Sequence, residues 1–511
     1  MKKFLKEWWW VILAGAAVLI LGLLLRLYHL TILPVFADEA IYIRWSQVMG
    51  AEPTLRFLPL SDGKQPLFMW ILMFYVRRLS DPLFAGRLLS VAAGLGTIIG
   101  IFALSYLLFK SKKIAVIAAI IYALSPFTLF FDRMALVDSL LATFGVWTMF
   151  FAILTTKTQR LDMAMLTGFA LGGALLTKSP AIFFVLLIPT TWIFVKKPVH
   201  LIKLAFLFAA TLIIAYGMYN ILRLGPNFQL ISSRNADYVF PISQLWTNPK
   251  DPFIFHIKEI FKDWFVKMGP WPVLVIWLIG YLVNWRKNWR EVLVLSSWFI
   301  IPILVQSMYA KVFTVRYIIF TLPPVFILAA SSFSLPRRSL LTKAGILFLV
   351  LFAFSALRFD YRLLTEPAKS NLPNGEKSGY LKEWTAGQGI KEAADYLRAE
   401  FTKEPDRKIV VGTEGYFGTL PDGLQMYLND LSKITVIGVG IDIKEIPRSL
   451  IESKKAGNKT YLVINKSRFH GEPNKLGLKL IAEYPKVPRA KDVREYVTKG
   501  PQEFLYFFQL K

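Results

Sequence analysis

The first 357 residues alternate between long apolar runs and short clusters of lysine and arginine. The first run extends from about Trp8 to Leu30, and roughly 20 apolar residues suffice to cross the hydrocarbon core of a bilayer. Similar runs follow, and the pattern predicts a polytopic α-helical membrane protein with about eleven transmembrane helices plus juxtamembrane helices. The later predicted spans lie at about Phe84 to Phe109, Ile114 to Phe131, Ala135 to Thr155, on either side of Thr177 to Pro180, up to Leu222, and at about Pro270 to Val283, Val292 to Tyr309, Tyr317 to Phe333 and Leu340 to Leu357.

Two polar stretches interrupt this pattern. The segment from Leu30 to about Asp81 is too broken by proline and charge to cross a membrane, and it predicts a loop with helices that lie on the membrane surface. The segment from Arg223 to Gly269 contains several prolines and predicts irregular structure.

From Arg358 onward charge rises and the apolar runs shorten. Alternating and β-branched runs predict strands, and Gly389 to Phe401 has the apolar spacing of a helix. We therefore predict two domains, a membrane domain of residues 1–357 and a small α/β domain of residues 358–511 outside the membrane. The predicted strands are Ile409 to Val411, Ile434 to Ile437, Tyr461 to Ile464 and Leu505 to Phe508.

Composition supports a membrane protein, because 55% of the 511 residues are hydrophobic and the mean hydropathy is +0.47. The absence of cysteine excludes disulfides, thiolate nucleophiles and cysteine-ligated metals. Val35 to Ala37 loosely resembles a signal-peptide cleavage site, but the preceding apolar core exceeds the usual length of about 7 to 15 residues, which favours a membrane anchor.

The net charge of +26 does not indicate nucleic-acid binding, because the basic residues fall in clusters between apolar runs. Their distribution follows the positive-inside rule when the N-terminus is cytoplasmic. That orientation places Asp38, Lys64, Arg133 and Lys178, with the C-terminal domain, on the extracytoplasmic side. Arg77 and Arg78 are exceptions to the rule in this arrangement.

Asp38 and Glu39 follow the first predicted span directly. Solvent is partly excluded at a membrane surface, and a carboxylate there can act as a general base. The alternative is that Asp38 merely N-caps a short helix running from Glu39 to about Met49.

The basic residues predicted on the same side of the membrane suit an anionic group carried by a lipid. A lipid-linked phosphate leaving group together with a nearby base describes glycosyl transfer from a polyprenyl-phosphate sugar. Each residue also has a structural interpretation: Lys64 as a solvated loop charge, Arg133 as a helix-end residue paired with Asp132 or Asp138, and Arg316 as an interfacial side chain.

Several motifs carry a family resemblance: Asp38-Glu39, Gly63 to Leu67 followed by Trp70, Arg87, Asp132 to Asp138, Leu176 to Pro180, and Arg316-Tyr317 followed by Pro323-Pro324. In this order and on this side of the membrane, they resemble the dolichyl-phosphate-mannose protein mannosyltransferase and aminoarabinose transferase group of C-type glycosyltransferases. The resemblance covers residues 1 to about 357.

The resemblance implies inverting transfer of a hexose or pentose to a hydroxyl of a lipid, glycan or protein acceptor. Asp38 matches the family's acidic base, and Glu39 matches its second acid. Lys64 matches the lysine of the family's Lys-Pro-Pro-Leu motif, with Gln65 in place of the first proline. The resemblance implies donor-phosphate binding by Lys64, Arg133, Arg316 and Tyr317, with supporting roles for Asp138, Lys178 and Arg87.

The aminoarabinose branch holds a metal through a histidine and an acid immediately before the motif lysine. Gly63 stands at that place here, and the nearby candidates are Asp62 and His256. We therefore expect no tightly bound metal and no firmly implied cofactor, with a divalent cation as the open alternative.

Two other function classes compete with a glycosyltransferase. A transporter or lipid flippase also needs many spans and buried charge, but the chain lacks the related halves and midplane helix breaks that are typical of transporters. A structural membrane protein whose tail recruits partners leaves the extracytoplasmic charges unexplained.

Overall fold

A computed structural model describes residues 2–269, 271–336 and 338–511. Met1, Pro270, at which the eighth predicted span begins, and Arg337 lie outside these residues. The described chain forms two compact units. The first, here called the helical unit, comprises residues 2–29, 54–70 and 87–373, and the second, the sheet unit, comprises residues 30–53, 71–86 and 374–511. The predicted domain boundary at residues 357 and 358 stays a prediction.

Seven helices among the described residues are long and apolar enough to cross a membrane. They confirm an integral membrane protein, but not the predicted count of about eleven spans. The seven are Lys6–Leu27, Pro82–Phe109, Val137–Thr158, His200–Leu224, Trp289–Tyr309, Val315–Ser334 and Leu340–Thr365.

The other predicted spans are shorter or broken helices. Proline explains two of the breaks, because it cannot continue a helical hydrogen-bond ladder: Pro126 separates Lys112–Leu124 from Pro126–Phe131, and Pro180 follows Leu161–Thr177. Phe253–Lys267 and Pro272–Asn284 count as an eighth span only if they are taken as one bent pair.

Short helices fill the rest of the helical unit, including residues 223–269, where irregular structure was predicted. Their bounds are Leu58–Asp62, Ser179–Ala181, Ile182–Leu187, Ile188–Phe194, Asn220–Leu224, Leu230–Tyr238, Gln244–Thr247, Phe253–Glu259, Ile260–Trp264, Phe265–Lys267 and Pro367–Lys369. Helix Leu67–Val76 has only its first four residues in this unit.

The helical unit is closely packed where helices meet at glycine. A Cβ at Gly280 would collide with the carbonyl oxygen of Leu328, so helices Pro272–Asn284 and Leu322–Ala330 meet backbone to backbone. Asn284 Nδ2 adds hydrogen bonds of 3.1 Å to the carbonyl oxygen and 2.9 Å to the hydroxyl of Ser331.

The sheet unit contains five strands: β1 Ile409–Thr413, β2 Ile434–Gly438, β3 Lys459–Asn465, β4 Leu478–Pro485 and β5 Phe504–Leu510. Their order is β2-β1-β3-β5-β4, with β1 parallel to β2 and β3, and β5 antiparallel to β3 and β4. All four predicted strands are confirmed. Strand β4, at one edge of the sheet, was missed because Lys479 and Glu483 interrupt its apolar positions.

Helices Thr419–Tyr427 and Arg448–Lys455 pack against strands of the sheet, and the unit also includes a helix from far upstream in the chain. The predicted helix is confirmed at Ile390–Lys403. Helix Ala37–Ala51, which carries Asp38, packs against helix Thr419–Tyr427 of the same unit. The remaining helices of the unit are Asn374–Lys377, Ser378–Lys382, Lys466–Arg468 and Arg494–Lys499.

Candidate active site

The motif lysine Lys64 follows a glycine whose conformation is fixed by its surroundings. Gly63 ends helix Leu58–Asp62 at φ 66°, in the left-handed region. A Cβ there would lie 2.8 Å from the carbonyl oxygen of Leu230 and 2.9 Å from Cβ of Arg234. Both the backbone conformation and the available space therefore require glycine before Lys64.

Ion pairs surround the same turn. Lys64 Nζ lies 3.2 Å from Asp62 Oδ2, and the other oxygen of Asp62 lies 2.8 Å from Arg234 NH2. The side chain of Lys64 is 23% exposed, so its charge is neither buried nor fully solvated. Asp62 thus pairs with two cations, and Lys64 remains accessible to an anion.

A hydrogen bond joins this turn to the second predicted motif. Gln65 Nε2 donates to Ser179 Oγ at 2.8 Å. The adjacent Lys178 lies with its Nζ 2.6 Å from Asp138 Oδ1 and 4.2 Å from the centre of the Tyr317 ring. The Gln65–Ser179 bond thus joins the turn of Lys64 to the segment of Lys178, whose side chain contacts Asp138 and Tyr317. A group called here the basic cluster comprises Lys64, Lys178, Arg316, Tyr317 and Asp138.

Helix ends position the members of the basic cluster. Helix Leu161–Thr177 ends immediately before Lys178, and Asp138 lies in the first turn of helix Val137–Thr158, where a negative charge is favourable. Arg316 lies with its guanidinium carbon 5.6 Å from the Tyr317 ring centre, so the ring faces cations from two residues. Asp138 is 3% exposed, and within the described chain its Oδ2 has no hydrogen-bond partner.

Within the described part of the chain, Arg133 donates side-chain hydrogen bonds to backbone carbonyl oxygens and not to members of the basic cluster. Its guanidinium donates to the backbone carbonyl oxygens of Leu25, Arg26, Tyr28 and His29 at 2.7 to 3.0 Å. These are the carbonyls at the end of the first helix, which lack helical partners. Arg133 therefore caps that helix, and its predicted role at the donor phosphate stays a prediction that this geometry does not favour.

A group of buried charges lies near Arg133 and was not predicted from the sequence. Arg26 and Asp132, both fully buried, form an ion pair of 2.9 Å. Arg87 is also buried and lies within electrostatic range of Arg133. Two charges inside apolar runs, Arg26 and Asp360, were the available sequence signal, since charge at such positions is rarely unpaired.

In the sheet unit, Asp38 lies in the first turn of helix Ala37–Ala51 and is half-buried. The N-cap is Phe36, so the alternative in which Asp38 caps this helix is wrong. Glu39, fully buried, performs the capping: its Oε2 accepts a hydrogen bond of 3.0 Å from the backbone N–H of Phe36. Asp38 is therefore not needed to cap the helix.

The residues before Asp38 pair with a distant segment of the same unit. The N–H of Ala37 donates to the Thr385 carbonyl at 3.1 Å, and the N–H of Gly387 donates to the Val35 carbonyl at 2.8 Å. Sequence reasoning missed this pairing, because residues 383–387 carry no local strand signal.

A network of buried charges lies beside that segment. Glu383 pairs with Arg489, whose hydrogen bonds and charge lower the pKa of Glu383 although burial opposes this. Burial lowers the pKa of Lys486 to about 8, against the attraction of Glu414 and Glu503. For the carboxylate of Glu414 burial has the opposite effect and raises the pKa, because it disfavours the charged form. The predicted chemistry uses none of these groups.

The two candidate metal ligands do not fit a metal site. Asp62 is held by Lys64 and Arg234, and His256 Nδ1 lies 3.1 Å from the Ser307 carbonyl oxygen. Within residues 2–269, 271–336 and 338–511, no group of three or more His, Asp or Glu side chains is arranged to hold an ion. The expected absence of a tightly bound metal stays a prediction.

Comparison with known proteins agrees with the predicted resemblance. Residues 63–219 match the family described as dolichyl-phosphate-mannose-protein mannosyltransferase. The fold is similar to that of ArnT from Cupriavidus metallidurans in the apo state, with a TM-score of 0.61 at 15% identity over 98% of each chain. The structure of ArnT bound to undecaprenyl phosphate gives a TM-score of 0.60 at the same identity and coverage. No curated protein matches the chain in sequence.

The family match includes Lys64, Arg87, Arg133, Asp138 and Lys178, and the fold similarity extends over almost the whole chain. The resemblance predicted from the motifs is thereby confirmed. The chain is therefore similar to the dolichyl-phosphate-mannose-protein mannosyltransferase family over residues 63–219 and to ArnT in its fold, and its long apolar helices are those of an integral membrane protein.

Proposed function

We propose that the protein transfers a sugar from a polyprenyl-phosphate donor to an acceptor hydroxyl, by inverting displacement on the extracytoplasmic side of the membrane. The basic cluster is the observation that carries this proposal, because it joins Lys64 and Lys178 of the family-matched segment to Arg316 and Tyr317 beyond it. A polyprenyl phosphate is supported by ArnT, a protein of the same fold that binds undecaprenyl phosphate.

The cations of the basic cluster bind the donor phosphate and stabilise the charge that it gains as it leaves. Fixed positive groups at a developing anion contribute about 3 to 4 kcal/mol each in other enzymes. Lys178 is paired with Asp138 and Lys64 with Asp62, and both lysine side chains are partly exposed, at 20% and 23%. Tyr317 orients Lys178 through its ring, and Arg133 and Arg87 act at a distance from the phosphate.

Asp38 acts as the general base. It accepts the proton of the acceptor hydroxyl as the oxygen forms a bond to the anomeric carbon. The bond from that carbon to the phosphate oxygen breaks, and its electron pair remains on the polyprenyl phosphate. One displacement inverts the anomeric configuration and needs no covalent enzyme intermediate. Glu39 holds the helix start that carries Asp38.

The proposed topology places the N-terminus in the cytoplasm and the sheet unit outside it, with membrane lipids around the spans. The acceptor is a lipid, a glycan or a protein, and the transferred sugar is a hexose or a pentose. The transporter alternative is not favoured by the family match, which is to a glycosyltransferase family.

The test is transfer or slow hydrolysis of radiolabelled polyprenyl-phosphate sugars in reconstituted membranes. Wild type is compared with Asp38→Asn and Lys64→Ala at matched expression, and the anomeric configuration of the product is determined by NMR. We expect turnover with inversion in wild type and its loss in both variants. Retained configuration, or no turnover with any donor while labelled lipid or solute crosses the bilayer, would overturn the proposal.

A further inference from the structure

Two backbone hydrogen bonds fix the chain immediately before Asp38. They join Ala37 to Thr385 and Gly387 to Val35, and they make Phe36 and Ala386 an antiparallel bridge. The Phe36 ring also lies 4.3 Å, centre to centre, from the ring of Tyr380. The direction in which helix Ala37–Ala51 begins is therefore set by residues 383–387, here called the clamp segment.

Two cationic side chains hold the clamp segment from the other side. Arg489 forms a bidentate pair with the Glu383 carboxylate: its Nε donates to Oε1 at 2.7 Å and its NH2 donates to Oε2 at 2.9 Å. Lys486 Nζ donates to the carbonyl oxygens of Glu383 at 3.1 Å and Ala386 at 2.7 Å. These bonds fix the ends of a segment that belongs to no strand.

Arg489 is itself anchored deep in the sheet unit. Its NH2 also lies 2.6 Å from Glu503 Oε2, and Glu503 Oε1 accepts a hydrogen bond from the N–H of Ser467. The side chains of Arg489 and Glu503 are each 1% exposed. Such a buried network is favourable only when its members are paired with good geometry, and it then has a defined arrangement.

We propose that Arg489 and Lys486 are positioning residues for Asp38: they fix the clamp segment, which fixes residues 35–37 and so the first turn of the helix that carries Asp38. This inference rests on the proposed function. The two residues act through backbone bonds and do not touch the reacting atoms. A displacement of about 1 Å at a catalytic group can lower turnover by about 100-fold, so the effect is measurable.

Two variants loosen the clamp in different ways. Arg489→Lys keeps the buried positive charge but cannot form the bidentate hydrogen bonds to Glu383. Gly387→Ala removes no charge; its Cβ would lie 2.5 Å from Val35 Cγ1 and 2.7 Å from the Val35 carbonyl oxygen, so the bridge must shift. The matched controls are Arg407→Lys, at an exposed arginine whose Nε donates to the Gly457 carbonyl, and Gly375→Ala, whose Cβ meets nothing within 4 Å.

The first readout is hydrogen–deuterium exchange of the full-length protein, which does not depend on any donor. We expect the backbone amides at positions 37 and 387 to exchange at least tenfold faster in both clamp variants and at the wild-type rate in both controls. Unchanged exchange in the clamp variants would overturn the inference.

The second readout separates positioning from a general loss of structure. Because the basic cluster is intact, we expect kcat to fall at least tenfold in the clamp variants while the donor KM stays within about twofold of wild type. Faster exchange with unchanged kcat, or an equal rise in KM, would contradict a positioning role. If wild type turns over no donor, the proposed function fails, and exchange alone decides whether these residues hold residues 35–37.

Discussion

The ammonium group of Lys178 lies 2.6 Å from Oδ1 of Asp138, and the pair is unequally exposed, at 20% for the lysine and 3% for the aspartate. Loss of the partner is more costly for the buried carboxylate than for the partly exposed cation. The carboxylate that pairs with Lys64, Asp62, is more exposed, at 14%. We therefore expect loss of Lys178 to lower stability more than loss of Lys64.

Lys178→Ala leaves the Asp138 carboxylate buried without its cation, and we expect a loss of about 3 kcal/mol in the free energy of unfolding. Thermal unfolding in detergent measures this loss, and the double variant with Asp138→Asn should recover part of it. If the single and the double variant are equally stable, the ion pair is not what holds this turn.

Lys64→Ala should change stability by less than about 1 kcal/mol, because its pair with Asp62 is partly exposed. We expect the donor KM to rise instead, since the variant removes a cation from the proposed phosphate site. Kinetics at varied donor concentration measure this, with Lys475→Ala as the control for an exposed lysine that pairs with a neighbouring carboxylate. A normal KM with low stability would contradict the assignment.

Substitutions of Asp38 and Glu39 should have different effects on turnover and on stability. We expect Asp38→Asn to lower turnover at least 100-fold, the usual scale for a general base, with little change in the unfolding midpoint. Glu39→Ala removes the acceptor for the Phe36 N–H and should lower stability by about 0.5 to 2 kcal/mol. Equal losses of turnover and stability in both variants would mean that the two acids act as one structural unit.

Asp422 of the sheet unit should make stability depend on pH. Its carboxylate accepts a hydrogen bond of 2.6 Å from the Gly418 N–H, yet burial raises its pKa from 3.8 to about 6, against the effect of that bond and of Arg44. Because the folded-state pKa is the higher one, the stabilising contribution is complete below the unfolded-state value and disappears as pH rises through about 6.

At pH 8 the ionised Asp422 therefore lowers stability by about 3 kcal/mol relative to a neutral residue with the same bond. Asp422→Asn should raise the unfolding midpoint at pH 8, and the gain over wild type should shrink towards pH 5. Asp430→Asn, which removes an exposed carboxylate paired with Arg398, should show no such gain. A gain that does not vary with pH would refute this explanation.

Gly280→Ala should destabilise the helical unit, because the added Cβ would collide with the Leu328 carbonyl oxygen. Overpacking of this kind typically lowers stability by about 1 to 3 kcal/mol. Gly217→Ala is the matched control, since its Cβ meets nothing within 4 Å and alanine favours the helix. Thermal unfolding of both variants in detergent measures this loss. Equal unfolding midpoints would show that helices Pro272–Asn284 and Leu322–Ala330 move apart at little cost.

Local patterns predicted a large part of this fold. Strands β1, β2, β3 and β5 each contain a short run of apolar and β-branched residues, whereas β4 mixes lysine and glutamate with its apolar positions. Apolar length predicted the seven long helices, but the expected count of about eleven spans is not confirmed, because other apolar runs form shorter helices such as Leu161–Thr177.

The site was predictable in its members more than in its contacts. Lys64 and Lys178 were identified from motifs, but the Gln65 to Ser179 bond that joins the two motifs spans 114 positions and has no local signature. Arg133 shows the opposite case: a motif residue whose guanidinium caps a helix more than 100 positions away. The clamp segment was missed for the same reason, since only its partners reveal its role.

The turn at Gly63 limits how this protein can change over evolutionary time. An acid at that position would bring both a left-handed backbone strain and a collision with Leu230 and Arg234. A lineage that starts from this turn would have to rebuild it before an acid could stand beside Lys64. The shape of the backbone therefore opposes an acid at position 63, whichever codon change would supply it.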